Sequence, residues 1–351
     1  MPDYDESRFF SAADLPLLDR FTQFALIAAD EAVTDSGIEF GGDLGERTAV
    51  IFGTGAGARR TNDDAVGRFC AEGRRIHPAA IPRGLFSAPV SHVSMKYGLT
   101  GPAFTLSTAC ASSNHAIGQA LLMLKSGMAD VALAGGSEAC FTLPFHKGWE
   151  ALRVLAPDTC RPFSRDRKGF VLGEGAGVLV LETMDHARAR GARIYAELAG
   201  FGFSADAHHI LMPAAPGAAA AMRAALRMAG LDARDIDFIN AHGTGTVAND
   251  VAETTALHQV FGAHAFNLTV SSTKSMHGHA LGASGALEAV ATALSLHHGI
   301  ATPTANCTAP DPDCDLDYAF DGARELSIGA ALSNALAFGG LNAVIAFRRM
   351  A

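Results

Sequence analysis

Aromatic and charged side chains are scarce in this chain. Aromatic residues make up 7% of it, with a single tryptophan, and charged residues 18%. Small aliphatic side chains must therefore do most of the packing. That balance, with 49% hydrophobic residues, suits a large α/β enzyme and excludes a disordered or fibrous chain. Clustered Lys and Arg are missing too, and the formal net charge of −9 argues against a general nucleic-acid binder, which must neutralise phosphates. The basic groups that exist, Arg59/Arg60, Arg74/Arg75 and the run from Arg161 to Lys168, read individually as solvated faces with internal ion pairs. No apolar stretch approaches the length of a membrane span, and the start "MPDYDESRFF" is acidic rather than signal-like, so a soluble, cytosolic protein is expected. Cys70, Cys110, Cys140, Cys160, Cys307 and Cys314 form no C-x-x-C pair, which excludes a zinc knuckle and a disulfide framework.

What is present is a long alternation of strands and helices. At 351 residues the chain exceeds one ordinary compact domain, so one two-lobed unit or two closely packed halves is expected. Leu18 to Val33 has helical apolar spacing and stops at Ser36-Gly37. "RTAVIFGTGAG" reads as a buried strand entering a glycine turn, followed by a helical excursion to about Pro89. Then come the strand "AFTLST", a helix after Cys110, the strand "ADVALAGGSEA" and a β pair around "GFVLGEGAGVLVLE". A second series starts near Arg193 with "IYAELAGFGFS", continues through "IDFINAHGT" and "LTVSSTKS" with intervening helices, and closes with "ALSNALAFGGLNAVIAF". Two loosely related βα halves, 1–190 and 191–351, follow from this order, with parallel-rich sheets covered by helices on both faces. The G-x-G of "GTGAG" is a weak nucleotide signal, because the third glycine and a following acidic ribose ligand are missing.

Three strand ends carry chemistry. Cys110 lies where a strand passes into a helix, a place where the helix dipole and free N–H groups favour a thiolate and lower its pKa. The same N–H groups can hold an oxyanion. "NAHGTGT" puts His242 at a second strand end, and "SSTKSMHGHALGASG" puts Lys274 and His279 at a third. Ligands gather at the carboxyl ends of such strands, so the three are expected to converge on one nucleophilic site.

These segments, together with "RPFSRDRKGFVLGEGAG", "STKSMHGHALGASGALE" and "NALAFGGLNA", make the chain resemble the decarboxylating β-ketoacyl-acyl-carrier-protein synthases of thiolase fold, from about Phe21 to Phe347. The resemblance implies a layered αβαβα core. It implies that Cys110 receives an acyl chain as a thioester, with its oxyanion held by the N–H groups of Cys110 and Phe338. Neutral His242 and His279 would then donate from Nε2 to the malonyl thioester and stabilise the enolate left by decarboxylation. Lys274 would pair with Glu288. Thr244 and Thr246 would meet the phosphopantetheine arm, Phe338 would form a gate, Gly339 would contact substrate, and Ala56 and Trp149 would line the acyl pocket. No cofactor is implied beyond the phosphopantetheine that the substrates carry on acyl carrier protein. A homodimer is implied, with "AFTLST" near its two-fold axis, or a heterodimer with a related silent subunit.

The chain departs from the family pattern in informative places. The opening strand of the type V-V-I-T-G-x-G is not found, which predicts a first sheet without one of its central strands. Ala335, Leu336, Ala337 and Leu341 replace family residues in the gate loop, and Ala337 should stiffen it where glycine is usual. Leu211 and Met212 stand where hydroxyls often meet pantetheine, His277 where threonine is common and Asn249 where glycine is. Two catalytic readings remain: a fatty-acid elongating synthase, or a specialised ketosynthase of a polyene or polyketide-like pathway with a partner subunit. A non-catalytic subunit is disfavoured because Cys110, His242, Lys274 and His279 are all present. Thiolase itself is disfavoured because "AFGGLN" lacks a second cysteine.

Overall fold

A computed structural model describes residues 3–350. The first helix, α1 (Arg20–Ser36), begins where the Asp19 carboxylate accepts the Phe21 N–H and ends at Gly37, which takes a left-handed φ of 62°. It buries Phe21, Phe24, Ala25 and Ala29, as the apolar spacing predicts. A short α2 (Asp43–Glu46) leads into β1 (Thr48–Gly53), and the excursion after it contains α3 (Arg59–Val66), α4 (Ala80–Gly84) and α5 (Ala88–Tyr97). Next come β2 (Ala103–Leu106), α6 (Ser112–Lys125), β3 (Val131–Glu138), α7 (Leu143–Ala151) and β4 (Gly175–Glu182). These four strands form one sheet in the order β2-β1-β3-β4, parallel except for β4. Every residue of β1 and β3 is buried, which is why both read as unbroken apolar runs.

The second series runs through α8 (Met184–Ala189), β5 (Glu197–Ala205), α9 (Ala215–Ala229), β6 (Phe238–Asn240), α10 (Val247–Phe261), β7 (Thr269–Ser271), α11 (Lys274–His277) and α12 (Ser284–His298). A small ribbon of β8 (Ile300–Ala301) and β9 (Arg324–Glu325) precedes the closing pair, β10 (Ala330–Ala337) and β11 (Leu341–Arg348). The second sheet has the order β5-β11-β10-β6-β7. Its β7, β6, β10 and β11 repeat the order and directions of β2, β1, β3 and β4: two parallel neighbours flank a parallel strand, and an antiparallel strand follows. Among the described residues, β5, antiparallel to β11, has no counterpart in the first sheet.

That correspondence corrects the expectation of a missing central strand. β1 and β3 fill the middle of the first sheet, and the position left open lies at its edge, outside β4. A central gap would break two ladders of backbone hydrogen bonds, whereas an edge gap leaves one row unpaired. The expected β pair around "GFVLGEGAGVLVLE" is a single strand, β4; Phe170 and Leu172 make only isolated bridges, to Leu155 and His279. The closing apolar run is a hairpin, because Gly339 and Gly340 take φ of 82° and 69° and turn the chain back.

The two sheets share one core. Ile51 and Ala132 of the first pack in the same apolar cluster as Phe238, Ala331 and Ile345 of the second, with Ala116, Ile117 and Ala289 of α6 and α12 between them. Close approach of backbones at the strand ends sets where the reactive side chains stand. A Cβ on Gly53 would lie 2.3 Å from the Ser112 backbone, so glycine there lets the first turn of α6 sit against the end of β1.

Candidate active site

Cys110 lies between β2 and α6 on a strained turn. Ala109 before it has φ of 50°, costly for a residue with a Cβ, and the turn is held by Ser112, whose hydroxyl donates to the Ala109 carbonyl at 2.6 Å and accepts the Thr108 N–H at 2.9 Å. The side chain is buried, and the backbone amides of Phe338 and of Cys110 itself act on the sulfur in the direction that favours its thiolate. Burial nevertheless pushes the thiol up to about 11, against the opposing pull of Lys274 and the two N–H groups. This overturns the expectation of a lowered pKa. The residue precedes the first helical position by two and sits in an apolar site, so desolvation outweighs the helix dipole.

Two histidines complete the floor. His279 Nε2 is 3.1 Å from Cys110 Sγ, and its Nδ1 is 2.7 Å from Ser284 Oγ at the start of α12. The Phe170 ring meets the imidazole edge-on at 5.0 Å. His242 follows β6, and its backbone N–H and that of Gly243 both donate to Glu253 of α10, each at 2.8 Å. Asn334 of β10 donates to the same carboxylate. The Cys110 sulfur and a ring nitrogen of each histidine lie within 4.8 Å of one another. Burial, then the charge of Lys274, push both histidines well below their ordinary value, so both are neutral at physiological pH. His242 Nδ1 is buried without a hydrogen-bond partner, which leaves Nε2 as the nitrogen with a role to play.

Lys274 and Glu288, both fully buried, pair directly between α11 and α12. Burial pushes the Glu288 carboxyl up and the ammonium against it pulls it down. A Cys-His-His set is also a zinc donor set, and its reach here is adequate. Its electrostatics oppose a cation, because Lys274 acts on all three groups and the thiol resists ionisation.

Above this floor lies a cavity of about 250 Å³, lined among others by Trp149, Phe170, Met212, Thr244, Phe338 and Gly339. Thr244 and Thr246 hydroxyls are 2.9 Å apart on its wall. The Phe338 ring stacks on Trp149 at 5.8 Å, and the Gly339 N–H donates to the Ile210 carbonyl. Leu211 and Met212 are exposed at the mouth. Ala56 does not line this cavity. It packs beside Cys140, Cys160 and Phe170, its N–H held by Glu138. Ala337 closes β10 with ordinary strand backbone, and the turn glycines come only after Phe338, so no glycine is required at 337.

Sequence reasoning missed the buried carboxylates that fix this arrangement. Glu138 accepts N–H groups of Gly55, Ala56 and Gly282, tying the glycine turn after β1 to the start of α12, and burial pushes it up to about 7. Asp250 accepts the Phe163 and Gly245 N–H groups and pairs with Arg167. The available signal was an acidic residue in an otherwise apolar element. Arg161 and Arg167 are spent on Asp158, Asp166, Asp250 and Asp311, so the internal ion pairs expected of that run are present, but Arg167 is buried rather than on a solvated face.

The family model "Beta-ketoacyl synthase, N-terminal domain" matches residues 3–187, and the corresponding C-terminal domain matches residues 195–308. The chain belongs to the β-ketoacyl synthase family. It is a condensing acyltransferase of thiolase-like fold, as the motifs around Cys110, His242 and His279 implied. Nodulation protein E of Rhizobium sp. (strain N33) is 49% identical over 351 residues, covering 100% of this chain and 86% of the relative. The 3-oxoacyl-[acyl-carrier-protein] synthase 2 of Staphylococcus aureus (strain N315) is 42% identical over 340 residues, 95% of this chain and 82% of the relative. Among solved structures, the ishigamide ketosynthase/chain length factor superposes with a TM-score of 0.94 at 37% identity, over 100% of this chain and 87% of that one. Among the described residues no helix is long and apolar enough to cross a membrane.

Proposed function

We propose that this β-ketoacyl synthase extends an acyl chain through Cys110, with the malonyl unit delivered on acyl carrier protein. The observation that carries the reading is the convergence of one thiol and two neutral imidazoles within 4.8 Å, with His279 Nε2 3.1 Å from the sulfur. In the first step the Cys110 sulfur bonds to the acyl carbon, the donor thioester C–S bond breaks, and the Cys110 proton ends on the released pantetheine thiol. The tetrahedral oxyanion lies against the N–H groups of Cys110 and Phe338, whose amides favour negative charge at this sulfur. In the second step the bond between the malonyl α-carbon and its carboxylate breaks. The electron pair becomes an enolate whose oxygen accepts from Nε2 of His242 and His279. The freed carboxylate departs as carbon dioxide, the enolate carbon bonds to the acyl carbon, the acyl C–S bond breaks, and Cys110 leaves as a thiolate that takes a proton from solvent. Neutral histidines can serve this step as the tautomer that carries its proton on Nε2, and the thioester supplies the activated carbon with no resident cofactor.

Lys274 with Glu288 sets the local field, Thr244 and Thr246 grip the phosphopantetheine arm, and Phe338 with Gly339 gates entry beside Trp149. Ala56 acts one layer out, by shaping the wall behind Phe170. Residues 1–190 carry the nucleophile and 191–351 the histidines, and a dimer, of like or of related subunits, is the working form. The apolar mouth at Leu211 and Met212, with the similarity to the nodulation protein and to the ketosynthase/chain length factor pair, favours a specialised polyene or polyketide-like role over bulk fatty-acid elongation. Mass spectrometry after incubation with a panel of acyl-carrier-protein thioesters tests both. Acyl groups on Cys110 are expected; no loading on folded protein overturns the catalytic reading, and efficient extension of ordinary saturated chains by a homodimer overturns the specialised one.

A further inference from the structure

We propose that Ser284 sets the tautomer of His279: its hydroxyl donates to Nδ1 and so keeps the ring proton on Nε2, the nitrogen that faces Cys110. This role rests on the condensing reading of the site and adds one positioning residue to it. A neutral imidazole carries one proton for two nitrogens, and the partner of one nitrogen decides whether the other holds it. Among the described residues each nitrogen of His279 has one side-chain partner, Ser284 Oγ at 2.7 Å from Nδ1 and Cys110 Sγ at 3.1 Å from Nε2. All three side chains are buried. Two arrangements fit. In one, the thiol donates to Nε2 and Nδ1–H donates to the serine oxygen, which leaves the serine hydrogen with no acceptor among the described residues. In the other, the serine donates to Nδ1 and Nε2–H points at the sulfur, which leaves only the thiol hydrogen without one. A stranded hydroxyl donor is costly in a buried site, whereas a thiol is a weak donor and loses little. The second arrangement is therefore favoured, and it presents Nε2–H to an enolate oxygen.

The backbone is shaped for this contact. The His279 N–H donates to the Val171 carbonyl and its own carbonyl accepts from Gly173, which fixes the segment that bears the ring. Leu281 then takes φ of 43°, a left-handed conformation that is costly for a residue with a Cβ. Through that turn Ser284, five positions on and first in α12, returns to the imidazole it follows. Gly282 in the turn is pinned on both sides, its N–H by Glu138 and its carbonyl by the Ser113 hydroxyl of α6. A Cβ there would lie 2.2 Å from the Gly55 nitrogen, so the approach needs glycine. His242 is the contrast: its Nδ1 is buried without a partner, and no hydroxyl sets its tautomer.

Long-range proton–nitrogen correlation spectra of the intact chain, labelled with nitrogen-15 histidine, read the tautomer directly, with the His279 signals identified by their loss in His279→Ala. The unsubstituted protein is expected to show a bare Nδ1 and a protonated Nε2. In Ser284→Ala the two shifts should move toward each other as the second tautomer becomes populated, while those of His242 stay nearly in place. Ser284→Cys, close in size and a weaker donor, should fall between. On the same samples Ser284→Ala should slow carbon dioxide release from malonyl-acyl carrier protein about five- to tenfold with KM changed by less than about twofold. It should add nothing in the His279→Ala background, because the serine acts through the histidine. A proton on Nδ1 in the unsubstituted protein overturns the proposal, and so do His279 shifts that are the same in Ser284→Ala. A full further loss in the double variant overturns it too, since that means a general effect on packing. Failure of the condensing reading is separate: folded protein that neither loads Cys110 nor releases carbon dioxide removes that reading, while the nitrogen shifts still decide the tautomer.

Discussion

The two sheets run the same course to different ends. Each sends a parallel strand toward the site and follows its central pair with an antiparallel strand, and each pins the turn beyond its strands with a buried carboxylate: Glu138 in the first, Glu253 in the second. The second sheet covers its antiparallel strand with β5, which has no equivalent in the first sheet among the described residues. The first contributes the Cys110 thiol on a strained turn, and the second contributes two imidazoles, His242 just after β6 and His279 just after α11. Repetition of a scaffold therefore fixes where groups meet, while the residues at the ends of equivalent strands divide the chemistry.

Changing one sheet's contribution should separate the two half-reactions. Cys110→Ala is expected to cause the largest loss, at least about a thousandfold in condensation, with no acyl adduct by intact-protein mass spectrometry. An adduct at wild-type level in that variant would remove the division. His242→Ala or His279→Ala should lower malonyl decarboxylation about a hundredfold or more yet leave acyl loading on Cys110 measurable, since the donors they remove face the enolate. Single-turnover loading and carbon dioxide release, measured on the same sample, make this comparison.

Smaller effects fall on stability. Glu288→Ala strands the Lys274 ammonium in a fully buried site and should cost about 3–5 kcal/mol in denaturant unfolding. Glu138 gives a pH signature. Burial raises its folded value from 4.5 to about 7, so between those values the folded chain holds a proton that the unfolded chain has released. Its contribution to stability is thus fully present below about pH 4.5 and is lost as pH rises through 7. Glu138→Gln should flatten that slope in melts at successive pH values, and an unchanged slope would mean the carboxyl ionises freely in the fold. Ala337→Gly should do least. With ordinary strand backbone at 337, it is expected to cost about 1 kcal/mol or less in stability and to change loading rates only slightly.

Much of the fold was legible because its signals are local. α1 ends at the Gly37 that its sequence offers, and β1 and β3 read as apolar runs because both faces are covered. Cys110 and both histidines were legible beside glycine and hydroxyl groups, although His279 follows α11 rather than the end of β7. Less legible was whatever depends on burial or on pairing partners. The Cys110 thiol is raised rather than lowered because the site around it is apolar, and the open strand position lies at an edge rather than at the centre.

The sequence by itself determined the order of elements, the family and the side chains proposed to react, since these rest on periodicity and short motifs. Only the tertiary structure decided that Sγ and Nε2 stand 3.1 Å apart, that both imidazoles are neutral, that Ala56 lies behind the cavity wall, and that β4 presents an unpaired edge. The physical reason is distance along the chain. Cys110 and His279 are separated by 169 positions, and the desolvation that sets their protonation comes from elements neither can specify locally.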